Sequence, residues 1–479
     1  MTPEIEAFVT RFLRELREDN AAIFVGAGLS RAAGFVDWVG LLSHVAQELG
    51  LNAAKERDLV AVSQYHLNAN MGNRHHLNQL LIDEFSDLPE PSENHEILAR
   101  LPIRTYWTTN YDRLMEKALE AARKRVDTKY TNDQLATTRR GRDAVVYKMH
   151  GDIEHPTSAV LTKDDYEKYH LTHGPFITAL SGHLVDTTFL FLGFSFTDPN
   201  LDYVLSRIRT TYREHQRQHY SLMKRRSRLA AETAEEFEYA KQKQILETQD
   251  LRRFNINTVF VDDYADVTNV LRLIENRFRR RTVFISGSAT DYGPWGRQAT
   301  EEFLSGFASA MVDKDYRISS GFGLGLGGAI VNGAVQQIYS TKGRSIDEQL
   351  FIRPFPLGIK DLGERQRTFE RYRDELVTQA GIAIFIMGNK AEAGGIVNAD
   401  GVRSEFEIAK QKGLYLVPIG SSGFMARELW DEVMAAFATY FPKDDGTVRT
   451  LMNALGKPAT QLMDLMEPLL ALLNHLAKE

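Results

Sequence analysis

Short apolar runs alternate with longer amphipathic stretches along the 479 residues of the chain. In the first half the runs are "AAIFVGAG", "IRTYWTTN", "AVVYKMHG", "TTFLFLGFS" and "INTVFVDDY", each ending in glycine or polar residues. Such runs fit parallel strands covered on both faces. Their alternation with helical stretches predicts a doubly wound sheet. After the basic junction "NRFRRR" the pattern restarts with "TVFISGSA", "YRISSGFG", "LFIRPFP", "GIAIFIMG" and "GLYLVPIG". The expected fold class is therefore α/β, with two Rossmann-like doubly wound domains over residues 1–280 and 281–479. Residues 50–100 and 155–185 read as helical insertions in the first domain, and 200–253 as long, charged helix. The N-terminus "MTPEIEAFVTRFLRELREDN" places Phe8, Phe12 and Leu16 on one face of a helix. The tail "TQLMDLMEPLLALLNHLAKE" reads as a packing helix, with an oligomer interface as the second choice.

Composition narrows the chemistry. A net charge of -6 gives no general attraction to nucleic acid or to an anionic membrane, and neither is expected as a partner. There is no cysteine, which removes disulfides, cysteine-ligated zinc and a thiol nucleophile together. That absence fits a reducing cytosol, so a cytoplasmic location is expected. The N-terminus lacks the apolar core of a signal peptide, and no run is long enough to span a bilayer. In "HQRQH", His215 and His219 stand four apart on a presumed helix, and a solvated charged face is favoured over a metal pair. No metal is expected.

Four strand ends of the first half carry small or polar residues. Gly26-Ala27-Gly28 permits a tight turn and close backbone approach to a pyrophosphate, and Ser30 adds a hydroxyl. A plain strand-to-helix turn fits the same glycines. Asn110 in "YWTTNYDRL" can hold a ribose hydroxyl or a water, or merely turn the chain. Asp112 also fits a helix cap. His150 in "KMHGD" is either a core histidine or a base, and "GFSFTDPNL" brings Gly193 and Ser195. Its Asp198-Pro199 pair reads as a helix start. Strand ends of one sheet gather along one edge, and that convergence weighs more than any single motif.

In family order, G-A-G-x-S, T-x-N-x-D, H-G and G-x-S resemble the Sir2 (sirtuin) family over roughly residues 20–265. The resemblance implies an NAD+ pocket made of Gly26, Ala27, Gly28, Ser30, Asp37, Thr108, Asp112, Gly193 and Ser195. It implies His150 as base, with Asn110 at the nicotinamide-ribose end. Protein-deacylating sirtuins carry a four-cysteine zinc module, which this chain lacks. "GFVDWVGLL" also replaces their arginine-bearing motif. The departures point to the Sir2-like branch that hydrolyses NAD+.

The second half places Gly323-x-Gly325-x-x-Gly328 between a strand and a helix, with Gly287 and Ser288 at a neighbouring strand end. Arg373, Lys390 and Glu405 follow, each also readable as a solvated helix or loop charge. This half resembles the SLOG family of nucleotide-sensing Rossmann-like domains. The P-G-G-x-G-T-x-x-E motif of its hydrolytic relatives is not kept in "MGNKAEAGGIVNADGVRSEFE", so binding is expected here rather than a second hydrolase. A Sir2-like half followed by a SLOG half resembles the effector family of Thoeris anti-phage defence. That resemblance implies a cyclic ADP-ribose isomer, made by a TIR-domain partner protein, bound at Gly287, Ser288, Gly323, Gly325, Gly328, Arg373, Lys390 and Glu405. It further implies NAD+ depletion in abortive infection, and a homo-oligomer, tetrameric or larger. The competing functions are a Sir2-type protein deacylase or ADP-ribosyltransferase, and a non-catalytic nucleotide sensor.

Overall fold

The computed structural model describes residues 2–478 except 37, 57, 87, 88, 213, 214, 231, 357 and 460. The chain divides into two compact units, Met1–Glu275 and Asn276–Glu479. Among the described residues, no helix is long and apolar enough to cross a membrane.

The first unit holds a seven-stranded sheet. Its strands are β1 (Ala21–Val25), β2 (Thr105–Thr108), β3 (Val126–Lys129), β4 (Ala144–Lys148), β5 (Thr188–Leu192), β6 (His219–Lys224) and β7 (Ile256–Val261). The order is β3-β4-β2-β1-β5-β6-β7, and every pairing is parallel. Every residue of β1 and of β5 is buried, as their uninterrupted apolar sequences require. The chain leaves β1 toward β2, and later crosses back to β5 before moving out to β6 and β7. Connections therefore diverge at the β1/β5 boundary, where an open sheet leaves a crevice. The helix Pro3–Arg17 buries Phe8, Phe12 and Leu16, as the sequence pattern predicts.

Residues 200–253 depart from the expected long helix. Helices Pro199–Tyr212 and Ala234–Leu251 are separated by β6. His219 opens that strand and is buried, and its Nδ1 accepts the Phe189 N–H at 3.1 Å. Burial pushes its pKa down to about 3, so it packs as a neutral ring. It is not half of a helical His–His pair. The polar "VDTK" of β3, which shows no apolar run, is the other strand of this sheet that sequence periodicity does not reveal.

The second unit carries β8 (Thr282–Ser288), β9 (Arg317–Ser320), β10 (Leu350–Ile352), β11 (Ile382–Met387), a hairpin of β12 (Asn389–Glu392) and β13 (Gly395–Asn398), and β14 (Tyr415–Pro418). The main sheet runs β10-β9-β8-β11-β14, all parallel, and reverses direction at β8/β11. The helix Met466–Leu476 buries Leu469, Leu472, Leu473 and Leu476 in this unit's own core, as a packing helix does.

Candidate active site

The loops after β1 and β5 touch through glycine. Gly193 has φ +64°, and a Cβ there would lie 2.3 Å from Leu29 N. A Cβ on Gly26 would lie 2.5 Å from Gly193 O, and one on Gly28 2.9 Å from it. The Gly26 and Gly28 amides donate to Leu192 O and Gly193 O, each at 2.9 Å. These N–H groups thus hold the two loops together, a use the phosphate-cradle reading of the sequence does not include. Ala27 starts the short helix Ala27–Arg31 directly behind this junction.

A polar cluster forms one step further in. Asn110 Nδ2 donates to Ser30 Oγ at 2.8 Å, and Ser30 Oγ donates to Asp112 Oδ2 at 2.7 Å. Thr108 Oγ1 accepts the Asn110 amide at 2.9 Å, which fixes the turn that carries Asn110. Asp112 Oδ1 accepts Leu114 N at 3.0 Å, so the helix-cap role holds alongside the cluster. A cavity opens here, lined by Ala27, Ser30, Asn110 and Asp112 and walled by Phe35, Trp38, Leu41 and Phe85. Asp37 lies outside the described residues.

Lys148, at the end of β4, locks this edge from below. It is fully buried and donates to the carbonyls of Tyr111 at 2.9 Å and Asp112 at 2.5 Å, and to the Asp152 carboxylate. Glu116 lies 3.3 Å away. Burial opposes its charge, but Glu116, Asp152 and Asp112 outweigh burial and raise its pKa. One ammonium therefore ties the Asn110–Asp112 turn to the His150–Asp152 turn.

His150 follows two residues after Lys148. It is 1% exposed, and its ring stands edge-on to Tyr166 and Tyr169 at 5.3 and 6.1 Å. Its Nε2 lies 3.2 Å from Asp198 Oδ2, at an angle that makes no hydrogen bond, and neither ring nitrogen has a hydrogen-bond partner among the described residues. Burial lowers its pKa against the opposing pull of Asp198. Asp198 also caps the helix Pro199–Tyr212 through Leu201 N at 2.9 Å, which was all the sequence indicated for it. His150 does not line the cavity beside Ser30. Ser195 is exposed, with its hydroxyl 2.8 Å from Thr197 Oγ1. Lys148 and Asp198 are the two residues that sequence reasoning missed. A lysine in an otherwise apolar strand was the available signal for the first.

The second unit gathers the other predicted residues around β8, β9 and β12. Gly323 closes on β8, since a Cβ there would lie 1.9 Å from Gly287 O. Gly325 has φ +77° against Ala289 O. Ser288 Oγ donates to Asn389 O at 2.9 Å, and the buried Asn389 side chain accepts the amides of Thr290 and Asp291, each at 2.9 Å. Glu405 is buried and accepts Ser286 Oγ at 2.5 Å, and burial raises its pKa. Arg373 Nε is 3.7 Å from Glu405 Oε1, too far for a hydrogen bond, and is buried without one among the described residues. Its guanidinium lies over Phe355 and Phe369 at 5.3 and 5.7 Å. Neither Arg373 nor Glu405 is the solvated helix charge that the sequence allowed. Lys390 stands on β12 rather than in a loop, held by Asp400 at 2.7 Å and Glu392 at 2.8 Å, and Asp400 raises its pKa. Gly401 borders Arg373 and follows Asp400, the partner of Lys390, which brings Lys390 toward Arg373 and Glu405. Gly328 stands in the first turn of the helix Gly327–Ser340, and a Cβ there would meet nothing within 4 Å among the described residues.

Known proteins match this arrangement. A SIR2-like domain model covers residues 104–247, and the Sir2- and TIR-associating SLOG family model covers 266–476. The NAD(+) hydrolase ThsA of Bacillus cereus is 49% identical over 100% of this chain and 99% of its own length. The chain belongs to the ThsA family. Family members from Acinetobacter baumannii and Enterococcus faecium are 46% and 42% identical, over 97% and 99% of this chain and the same shares of their own. Both matched domains follow in the order expected of a Sir2-like unit joined to a SLOG unit.

Proposed function

We propose that the first unit, taken as residues 1–280, hydrolyses the nicotinamide–ribose bond of NAD+, and that the second, residues 281–479, controls it by binding a nucleotide signal. The observation that carries this is the Ser30–Asn110–Asp112 cluster tied through Lys148 to the turn of His150, in a chain of a family whose members are named NAD(+) hydrolases. Water adds at C1′, the bond from C1′ to the pyridinium nitrogen breaks, and nicotinamide leaves as a neutral molecule. ADP-ribose and one proton complete the balance. The leaving group needs little acid assistance. The site must instead favour an oxocarbenium-like transition state and present the water.

His150 is the base in this reading. Burial keeps its imidazole neutral at neutral pH, and a carboxylate beside Nε2 favours the proton there, leaving Nδ1 basic. Asn110 holds a ribose hydroxyl or the water, and Asp112 sets Ser30 and favours positive charge on the ribose. Gly26, Ala27, Gly28, Gly193 and Ser195 border the rest of the dinucleotide, with Thr108 setting the Asn110 turn. The 1% exposure of His150 supports a resting state that must open to admit NAD+.

The signal is a cyclic ADP-ribose isomer supplied by a TIR-domain partner. Support comes from the description of the matched SLOG family, which associates it with Sir2 and TIR. Arg373, with a buried donor unspent, and Lys390 suit phosphates, and Glu405 suits a ribose hydroxyl or base N–H. An activating signal must bind the open arrangement better, and a hundredfold preference corresponds to about 2.7 kcal/mol. The chain acts in the cytoplasm as a homo-oligomer, tetrameric or larger, and depletes NAD+ in abortive defence against phage.

The test is turnover of NAD+ in 18O-labelled water with a cyclic ADP-ribose isomer present. One 18O in ADP-ribose and free nicotinamide are expected, and His150→Ala lowers the rate by about 100- to 10,000-fold. Protein-attached ADP-ribose, deacylated lysine or no turnover at all would contradict hydrolysis.

A further inference from the structure

Away from the crevice, three side chains from three helices of the first unit converge. Glu48 ends the helix Ser43–Glu48, His66 lies on Leu59–Ala69, and His76 stands in the first turn of His75–Ser86. His66 Nε2 is 2.9 Å from Glu48 Oε2, and His76 Nδ1 is 3.4 Å from the same oxygen. One donor atom from each lies within 4.8 Å of the other two. The imidazole rings are 5.0 Å apart at 64°. An ion pair needs one cationic partner, but here a single carboxylate oxygen faces two ring nitrogens.

That triangle matches a tetrahedral metal shell. Metal–ligand bonds of about 2.0–2.1 Å give ligand–ligand edges of about 3.3–3.4 Å. The two edges to Glu48, 2.9 and 3.4 Å, are near that length without rearrangement. His66 is buried, while Glu48 and His76 have side chains 48% and 46% exposed, so one side stays open for a water as fourth ligand. Two imidazoles and one carboxylate suit zinc, cobalt, nickel or copper, whereas magnesium and calcium want oxygen throughout. Asn70 flanks the same nitrogen, with Nδ2 3.2 Å from His66 Nε2 while it donates to the His66 carbonyl at 2.9 Å. Ion binding replaces the first of these contacts.

We propose that Glu48, His66 and His76 bind one divalent transition-metal ion, with zinc as the representative. The site is a tie between helices and takes no part in bond cleavage. On their inner faces the same helices place Val45, Val62, Leu77, Leu81 and Phe85 in one apolar cluster with Phe35 and Leu41. Phe35, Leu41 and Phe85 wall the cavity beside Ser30 and Asn110. An ion at the outer rim therefore holds the wall of the candidate NAD+ pocket. The ligands come from separate helices at irregular spacing, so no sequence motif announces them, and the expectation of no metal rested on motifs alone.

The test uses the untagged, metal-stripped full chain, titrated with cobalt(II) and then with zinc. One cobalt per chain is expected, giving the visible bands of a tetrahedral centre, which zinc displaces. His76→Ala and Glu48→Gln change exposed side chains, so the fold is retained, as circular dichroism can verify. Each should abolish the bands and weaken zinc binding by calorimetry at least tenfold. No stoichiometric ion, a site unchanged in either variant, or cobalt bands of purely octahedral type would overturn the assignment. Neither readout depends on NAD+ turnover.

Discussion

At His150, burial and charge act in opposite directions, and Asp198 is the residue that sets the balance. Burial favours the neutral ring, and the carboxylate 3.2 Å away favours the charged one. Burial prevails, so the acid limb of the pH–rate profile should fall below the ordinary histidine pKa of about 6.5. Asp198→Asn keeps the helix cap, because Asn caps as well as Asp. It removes only the upward pull, so the acid limb should move to still lower pH. The maximal rate should drop by roughly ten- to a hundredfold as the forming imidazolium loses its counter-charge. A kcat/KM profile measured from pH 4 to 9 checks this, and a limb that stays in place or rises would show that Asp198 does not act on His150. The sequence announced Asp198 as a helix start and nothing more. Its second contact joins loops 48 residues apart, and pairings of that kind leave no periodic trace.

Among the elements, glycine positions separate packing from ligand contact. Gly323 has no room for a Cβ against Gly287 O, whereas nothing lies within 4 Å of one at Gly328. Gly323→Ala should lower the thermal midpoint of the second unit, by a stability loss above about 1 kcal/mol. Gly328→Ala should be neutral or stabilising, by up to about 1 kcal/mol, since Ala is the better helix former. Scanning calorimetry of both variants reads the contrast. Equal midpoints would mean that the β8/β9 junction yields more easily than its spacing implies. All five main strands of the second sheet were legible as apolar runs, as were β1, β2, β4, β5 and β7 of the first. Full burial on both faces writes itself into such sequences. β6 was hidden because it opens with His219 behind Arg217 and Gln218 in a charged stretch, and β3 because it is short and polar. The hairpin of β12 and β13 reads as a loop in sequence, since Gly394-Gly395 and exposed residues dominate it. Positions of the candidate glycines were legible too. Their amides were not, and the structure spends those of Gly26 and Gly28 on joining two loops.

For the whole molecule, the proposed function joins two candidate sites of different kinds. One gathers Ser30, Asn110 and Asp112, tied through Lys148 to the turn of a buried histidine, and the other brings together Arg373 and Glu405, with Lys390 on the neighbouring hairpin. The cavity of the first unit lies over the loops that follow β1 and β2, and Glu405 of the second reaches β8 through Ser286. Central to both is the proposed control of the first site by the second. Nicotinamide release from NAD+ by the purified chain tests it most directly, measured with and without cyclic ADP-ribose isomers beside His150→Ala and Arg373→Ala. Release is predicted to require an isomer, to fall by about 100-fold or more in His150→Ala, and to need far more isomer in Arg373→Ala. Full release without any isomer, an undiminished rate in His150→Ala, or no release from protein shown to bind NAD+ would contradict this function.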